Sequence, residues 1–299
     1  MTAVIATEGL GKRYRNRWAL AGCTLSIPAG HVVGLVGPNG AGKTTLINLA
    51  TGMLAPTAGT IEVLGGRPAA GPVQLARVGY LAQDAPLYAG MSVADHLKLG
   101  AHLNPGWDAE QARARVGRLD LDLRQKAGTL SGGQHAQLAL TLAVAKRPEL
   151  MILDEPVASL DPLARREFLQ DLMETVADQQ VSVVLSSHLI SDLERACDYV
   201  IVLVDSQVRV AGPTDELLAA HHLLSGPRRD PGSLPDDMQV ISASHTDVQT
   251  TLLVRTSGPV FDPAWAVSEV GLEDLVLAYM KQAARPAPRN NHRRLEVQK

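Results

Sequence analysis

Residues 37–44 constrain the fold of this chain more than any other stretch. They read GPNGAGKT and fit the pattern G-x-x-x-x-G-K-[ST]. A strand-like run, His31–Val36, comes directly before them, and a helical pattern, Thr45–Ala50, comes directly after. A glycine-rich loop in this context curls its backbone N–H groups around a phosphate, and the helix dipole adds partial positive charge. The sequence therefore predicts a strand–loop–helix unit that binds a nucleoside triphosphate.

Two side chains of this loop have chemical roles of their own. Lys43 is expected to reach the β- and γ-phosphate oxygens, and the Thr44 hydroxyl is expected to ligate Mg²⁺. The residues expected to contact the nucleotide are Gly37, Pro38, Asn39, Gly40, Ala41, Gly42, Lys43, Thr44 and Thr45.

An apolar strand further along the chain ends in two carboxylates. Residues 151–155 read MILDE. Asp154, at the strand end, is suited to hold the Mg²⁺ shell, and Glu155 is suited to orient or deprotonate the attacking water. Paired acids followed by Pro156 also occur as a plain strand cap, but the phosphate-binding loop favours the catalytic interpretation.

Short runs of branched apolar residues alternate with helical patterns. Such non-alternating runs are typical of strands buried on both faces, and their alternation with helices indicates a mostly parallel α/β core. Between residues 83 and 130 the patterns are helical, at Val93–Leu103 and Ala109–Leu119, with Ser92 and Asp108 as N-caps, which indicates a helical insert. The strand-like runs are Val32–Val36, Val78–Leu81, Leu150–Leu153, Val181–Ser186 and Val200–Val204.

The composition changes after about residue 220. We expect a nucleotide-binding domain over 1–220, with its helical subdomain at about 84–147, then a linker over 221–236 with three prolines. A small accessory domain is expected over 237–280. The tail, 281–299, has six basic residues and one acidic residue and is predicted to be disordered, either simply solvated or in contact with anionic lipid headgroups. The accessory domain is predicted to contain strands at Val240–Ser244 and Thr250–Thr256 and a helix at Leu272–Met280.

Composition argues against several classes of protein. The formal net charge of −3 provides no basic field for nucleic acid. Cys23 and Cys197 lie far apart and form no CxxC pair, which argues against zinc and disulfides. The first residues do not resemble a secretory leader, and no run approaches the ~18 apolar residues that span a bilayer. A role at a membrane would therefore need a second chain to do the spanning.

A pentapeptide at 130–134, LSGGQ, begins a long apolar helix. Ser131, Gly132 and Gly133 at a helix start leave N–H groups for an anion, but the run contains no lysine. It matches the signature of the ABC ATPases and lies just upstream of the Asp154–Glu155 strand, as in that family. GPNGAGKT is also that family's form of the phosphate-binding loop. Over roughly residues 4–220 the chain resembles the nucleotide-binding subunit of an ABC transporter.

The resemblance implies roles for four further residues. Tyr14 resembles the aromatic residue that stacks on adenine, although a core or surface role remains an alternative. Gln83 resembles the glutamine that contacts Mg²⁺ and the water and joins the core to the helical insert. Asp161 belongs to a turn, Ser159–Asp161, that resembles the D-loop of the dimer interface, and it also caps a helix. His188 resembles the switch histidine that hydrogen-bonds the γ-phosphate.

The resemblance also implies the fold, the cofactors and the partners. It implies an α/β fold of ABC ATPase type, with a mostly parallel core sheet, an antiparallel N-terminal β part and the helical insert. ATP and Mg²⁺ would lie between two ATP-binding subunits, identical or paralogous, with Ser131, Gly132, Gly133 and Gln134 of one facing the phosphate-binding loop of the other. A membrane-spanning permease would hold the pair at the inner face of the cell membrane, and no nucleic acid is expected.

Two positions depart from the family pattern, and other functions remain open. His135 follows the signature where a basic residue is common, and Val157-Ala158 replaces a threonine-containing turn. A soluble ABC ATPase acting on DNA or the ribosome is one alternative, although Lys43 and Asp154 lie only 111 positions apart, with no long coiled coil between them. A regulatory module that rarely hydrolyses ATP is another. Val267–Met280 resembles the end of bacterial drug and antibiotic exporters, so export is expected, with import as the alternative.

Overall fold

The computed structural model describes residues 3–228, 238–256, 258 and 262–283. Within these ranges the chain forms three sheets. The central one has six strands in the order β5-β6-β7-β3-β8-β9; all neighbours are parallel except β8 and β9, which form an antiparallel hairpin. Its strands are β3 (Val32–Val36), β5 (Val78–Leu81), β6 (Leu150–Asp154), β7 (Ser182–Ser186), β8 (Tyr199–Val204) and β9 (Gln207–Pro213).

The central sheet is covered by helices and by an antiparallel N-terminal sheet. The N-terminal sheet has the order β2-β1-β4 and packs its apolar residues with α1 and one face of the central sheet. Residues of β3, β6 and β7 are buried at every position, as the non-alternating runs predicted. The remaining elements of this part are β1 (Ala3–Tyr14), β2 (Arg17–Pro28), β4 (Ala58–Val63), α1 (Lys43–Ala50), α2 (Pro72–Arg77), α6 (Pro162–Gln179), α7 (Ile190–Ala196) and α8 (Thr214–Ala219).

The stretch between Gln83 and β6 is helical. Ser92 caps the first helix in a reciprocal capping box with Asp95, and Asp108 caps the second, so both predicted N-caps are confirmed. These helices pack on α5 through a small apolar cluster of their own. The elements are α3 (Val93–Leu103), α4 (Ala109–Arg118), a 3₁₀ turn (Ala127–Thr129) and α5 (Gly132–Ala145).

The last part of the described chain forms a four-stranded antiparallel sheet, β11-β12-β10-β13, with one helix. The predicted linker over 221–236 is wrong at its start, because residues 221–227 form β10, which pairs with two strands. The proline signal misled because Pro227 stands at the last position of the strand, where it disrupts little. Residues 229–236 and the tail beyond 283 lie outside the described residues. The elements are β10 (His221–Pro227), β11 (Met238–His245), β12 (Gln249–Thr256), β13 (Ala266–Ser268) and α9 (Leu272–Ala283).

Helix α9 packs directly on the nucleotide-binding part. Its buried residues Leu275, Val276 and Tyr279 belong to the same apolar cluster as Leu193 of α7 and Val202 of β8. The two parts of the described chain therefore share one core. Among the described residues, no helix combines the length and the apolar character that crossing a bilayer requires.

Candidate functional site

A cleft of about 710 Å³ opens where the central strands end. Four segments that follow β3, β5, β6 and β7 meet there, because parallel strands bring their carboxyl ends to one edge of the sheet. The cleft is lined by residues 38–45, Gln83, Glu155 and His188, together with Arg17, Ala19 and Ala158. The structure thus gathers in one place the loop, the glutamine, the second carboxylate and the histidine selected from the sequence.

The phosphate-binding loop needs glycine at two positions for steric reasons. A Cβ on Gly37 would lie 2.0 Å from the carbonyl oxygen of Leu203, in β8. Gly42 has φ of +110°, and a Cβ there would lie 2.4 Å from the carbonyl oxygen of Ala19. Gly42 is also the N-cap of α1 and makes no side-chain cap, so the first N–H groups of the helix are left for an external acceptor.

Lys43 is a nearly buried cation in the lining of the cleft. Its side chain is only 6% exposed, and its Nζ donates to the carbonyl oxygen of Gly37 at 2.7 Å. The same Nζ lies 3.7 Å from Glu155 Oε1. The ammonium group is therefore held between the Gly37 carbonyl oxygen of the loop and the Glu155 carboxylate.

Glu155 is held by contacts on three sides. Its φ is +47°, a left-handed conformation that is uncommon for a residue with a side chain. Its N–H donates to Ser186 Oγ at 2.8 Å, and its Oε2 lies 2.8 Å from His188 Nδ1. Together with the Lys43 contact, these bonds fix the carboxylate between the cation and the histidine.

Asp154 lies behind Glu155 and is 2% exposed. Ser186 Oγ donates to its Oδ1 at 2.7 Å. Burial, and secondarily the charge of Asp154, raise the pKa of Tyr80 on the neighbouring strand. Ser186 therefore bonds both acidic positions, as donor to the Asp154 carboxylate and as acceptor from the Glu155 backbone.

The oxygen atoms available around the cleft suit Mg²⁺. Thr44 and Gln83 line the cleft, and Asp154 ends β6 directly before Glu155, which also lines it. A hydroxyl, an amide oxygen and a carboxylate are hard ligands of the kind that this ion prefers, and none of the three is a nitrogen or sulfur ligand of the zinc type. The residues present therefore fit the predicted metal.

The signature residues lie elsewhere in the same chain. Ser131 caps α5 in a reciprocal box with Gln134: Ser131 Oγ accepts from Gln134 N at 3.2 Å, and Ser131 N donates to Gln134 Oε1 at 3.0 Å. The N–H groups of Gly132 and Gly133 have no acceptor within the helix. Ser131 and Gly132 are exposed, and no signature residue is among those lining the cleft.

Asp161 and Tyr14 also lie outside the lining of the cleft. Asp161 caps α6, since its Oδ1 accepts from Leu163 N and Ala164 N at 3.0 and 3.1 Å, which confirms the cap predicted from the sequence. Tyr14 ends β1 with 48% exposure, and Lys12 Nζ lies 5.6 Å from its ring centroid. Its strand partner is Arg17, which does line the cleft.

Sequence reasoning missed Arg17 and Ser186. Arg17 starts β2, and nothing in its sequence neighbourhood marks it as a residue that lines the cleft. Ser186 pairs in register with Asp154 across β6 and β7, a relation that exists only once the strand order is known. A small polar residue directly after the apolar stretch Val183–Leu185 was the signal that could have singled out Ser186.

Comparison with known proteins gives a consistent result. A family model described as ABC transporter matches residues 20–158. The chain is 32% identical over 220 residues to the uncharacterized ABC transporter ATP-binding protein YxlF of Bacillus subtilis (strain 168), covering 72% of each chain. It is 34% identical over 203 residues to the thiamine import ATP-binding protein ThiQ of Salmonella choleraesuis (strain SC-B67), covering 66% of this chain and 86% of ThiQ.

Solved structures agree with this comparison. The chain is similar to the ATP binding subunit of an ABC transporter, with a TM-score of 0.64 and 28% identity, covering 72% of this chain and 92% of that one. It is also similar to cbiO1 from Clostridium perfringens, part of the ABC transporter complex cbiONQ, with a TM-score of 0.64 and 25% identity, covering 73% of this chain and 92% of that one. The fold class expected from the sequence is confirmed.

Proposed function

The chain belongs to the family of ABC transporter ATP-binding proteins, and on that premise we propose that it binds and hydrolyses ATP to power transport through a separate membrane-spanning partner. The observation that supports this most directly is the cleft in which Lys43, Glu155 and His188 converge. A buried cation beside a glycine-rich loop at a helix N-terminus binds a polyphosphate, and a carboxylate beside a histidine acts on water.

We propose that the complete site is built from two ATP-binding subunits. The cleft provides the loop, Glu155 and His188, but Ser131 and Gly132 are exposed away from it. A second subunit, placed head to tail, would present its signature helix to the phosphates in this cleft. That helix would supply N–H donors and a positive helix end without adding a second lysine.

The side chains of the cleft divide the chemistry of hydrolysis among them. Lys43 and the N–H groups of α1 bind the phosphates and neutralise charge that develops on them. Glu155 accepts the proton of the attacking water, and His188 donates its Nδ1–H to the carboxylate at 2.8 Å and meets the γ-phosphate with its other ring nitrogen. Thr44, Gln83 and Asp154 would hold Mg²⁺, which when bound would supply positive charge that neutralises the phosphates.

Glu155→Gln tests the assignment of the base. We expect the variant to bind ATP and to accumulate as a closed dimer, with steady-state hydrolysis lowered by about 10²- to 10⁴-fold, because the amide does not accept the proton of water. Glu149→Gln is the matched control, since Glu149 precedes the same strand at its other end and pairs with Arg77 there. Undiminished hydrolysis by Glu155→Gln would remove this role from Glu155.

Ser131→Arg tests the two-subunit site. The bulky cation at the start of α5 should abolish ATP-driven dimerisation and hydrolysis, while the isolated subunit still binds nucleotide through its own loop. Ser92→Arg is the control, because it removes the same kind of capping box from α3 without touching the signature. Sedimentation with ATP and an equilibrium nucleotide-binding assay separate the two effects, and normal dimerisation by Ser131→Arg would refute the arrangement.

We propose export as the direction of transport. Support comes from the C-terminal region, where Val267–Met280, with LEDL at 272–275, resembles the end of the exporter subunits. Import is the second candidate, because ThiQ is named a thiamine import protein and is 34% identical to this chain. The partners proposed are a permease and a second ATP-binding subunit, identical or paralogous, at the inner face of the cell membrane.

Inside-out vesicles that contain the chain with its co-purifying membrane partner distinguish the two directions. ATP added outside such vesicles should drive substrate into the lumen if the complex exports, and out of the lumen if it imports. The same vesicles carrying Glu155→Gln show how much of the movement depends on hydrolysis. ATP-dependent release from preloaded vesicles would overturn the export proposal and leave the ATPase assignment in place.

A further inference from the structure

Two segments of the chain meet beside the cleft at more than one point. The first segment, residues 155–161, follows β6, and the second, residues 187–192, follows β7. Their first contact is the pair Glu155–His188, with 2.8 Å between Oε2 and Nδ1. The first segment ends in the Ser159–Asp161 turn, and the second ends inside the first turn of α7.

A second contact is made by Arg165, one turn into α6. Its Nη2 donates to the carbonyl oxygen of Leu160, in the Ser159–Asp161 turn, at 3.2 Å. Its Nε lies 3.9 Å from Asp192 Oδ2, on α7. One guanidinium group therefore contacts both segments, which its planar fork of donors allows and a single ammonium group does not.

The Arg165–Asp192 pair is poorly solvated. The side chains of Asp192 and Arg165 are 9% and 23% exposed, and Arg165 Nε and Asp192 Oδ2 have no hydrogen-bond partner in the described part of the chain. Burial raises the pKa of the Asp192 carboxyl, and the charge of Arg165 opposes that rise. A carboxylate in this position depends on its cation, because an uncompensated charge is unfavourable away from water.

Asp192 lies in the first turn of α7, so its contact with Arg165 affects the start of that helix. Helix α7 begins at Ile190, two residues after His188, and its N-cap, Leu189, makes no side-chain cap. Asp192 is the acidic residue of its first turn, where a carboxylate interacts favourably with the helix dipole. The contact with Arg165 thus anchors the start of the helix that immediately follows the switch histidine.

We propose that Arg165 and Asp192 are positioning residues that link the Ser159–Asp161 turn to His188. The inference rests on the proposed function, in which that turn runs along the interface between two ATP-binding subunits. A shift of the turn when the subunits close is then carried by Arg165 to α7 and to the histidine. Closure of the interface and alignment of His188 with Glu155 become one event.

The experiment uses the full-length chain and measures steady-state ATP hydrolysis together with thermal unfolding. Arg165→Gln and Asp192→Asn should each lower kcat by about ten- to a hundredfold, the range expected when a reacting group is misplaced, with KM for ATP little changed. Arg166→Gln is the matched control, since Arg166 is the adjacent exposed arginine that lines the same surface groove between α6 and α7. Its kcat should equal that of the unaltered chain.

Two further variants separate positioning from a general loss of structure. Arg165→Lys keeps a charge near Asp192 but does not reach Leu160 as well, so we expect it to restore the unfolding temperature and not kcat. The double variant Arg165→Gln/Asp192→Asn should be no slower than the slower single variant, because the two residues act as one unit.

The results that would overturn the link alone differ from those that would overturn the proposed function as well. Recovery of kcat by Arg165→Lys, multiplied losses in the double variant, or a kcat of Arg165→Gln equal to that of Arg166→Gln would overturn the link while leaving the proposed function intact. Absence of hydrolysis by the unaltered chain, under conditions where Glu155→Gln also shows none, would overturn the proposed function and the link with it.

Discussion

Ser186 offers the sharpest test of how the acidic pair is held. Its hydroxyl donates to Asp154 Oδ1 at 2.7 Å and accepts from the N–H of Glu155 at 2.8 Å, and the side chain is fully buried. Ser186→Ala removes a single oxygen atom and both bonds. The buried carboxylate and the strained Glu155 backbone each lose their partner, with little change in volume.

The magnitude follows from the two bonds. A hydrogen bond to a charged group contributes about 1.5–3 kcal/mol, and a neutral one about 0.5–1.5 kcal/mol. We therefore expect Ser186→Ala to lower the free energy of unfolding by about 2–4.5 kcal/mol. Because Glu155 then loses a bond that fixes its backbone, we also expect kcat for ATP hydrolysis to fall by about 10²-fold.

The assay is denaturant unfolding combined with steady-state hydrolysis, and β7 provides its own control. Ser182 lies at the other end of the same strand, is also buried, and accepts from the N–H of Gly30 at 2.9 Å. Ser182→Ala should lower the free energy of unfolding by only about 0.5–1.5 kcal/mol and leave kcat unchanged. Equal stability losses for the two variants, or an unchanged kcat for Ser186→Ala, would refute the reasoning.

Two further predictions concern the loop and the C-terminal part. Gly37→Ala places a methyl group 2.0 Å from the Leu203 carbonyl oxygen. We therefore expect the variant to lower the free energy of unfolding by about 1–3 kcal/mol or more, measured by denaturant titration, and to bind nucleotide more weakly, measured by nucleotide titration. No change in either quantity would show that the contact between the loop and β8 is not tight. Burial lowers the pKa of His221, whose Nδ1–H donates to the Leu217 carbonyl oxygen and whose Nε2 accepts from Tyr279. Because the unfolded chain then binds this proton more readily, the stability is fully present above the ordinary histidine pKa of about 6.5 and declines as the pH falls below it. In His221→Gln, the free energy of unfolding should decline less between pH 7.5 and pH 5.5, measured by denaturant unfolding. The same decline in the variant and the unaltered chain would show that His221 does not cause it.

Much of the site was predictable because its chemistry depends on local spacing. The phosphate-binding motif at 37–44 is complete within eight residues, and the adjoining sequence pattern predicts the strand before it and the helix after it. The pair Asp154–Glu155 is likewise local, as a strand end followed by a second acid. These segments meet in the cleft because parallel strands align their carboxyl ends, which is a rule of topology and not of sequence.

The rest depended on which strands become neighbours. The role of Ser186 needs β6 beside β7 in one register, and the contacts of Arg165 need α6 against α7. The error at β10 has the same origin. His221–Pro227 has a loop-like composition, yet β12 on one side and β13 on the other provide its hydrogen bonds. Pairing of this kind arises from distant segments and leaves little trace in a local pattern.

The packing of α9 on α7 determines how the protein loses its structure on heating. Leu275 and Val276 lie in the same core as Leu193, on the helix that follows His188. If the C-terminal sheet melted together with α9, apolar surface on α7 would be exposed to water. This exposure would raise the free energy of the partly unfolded state. A partly unfolded state of the described chain is therefore unfavourable in free energy. Catalytic inactivation and loss of the C-terminal sheet should coincide in one cooperative transition.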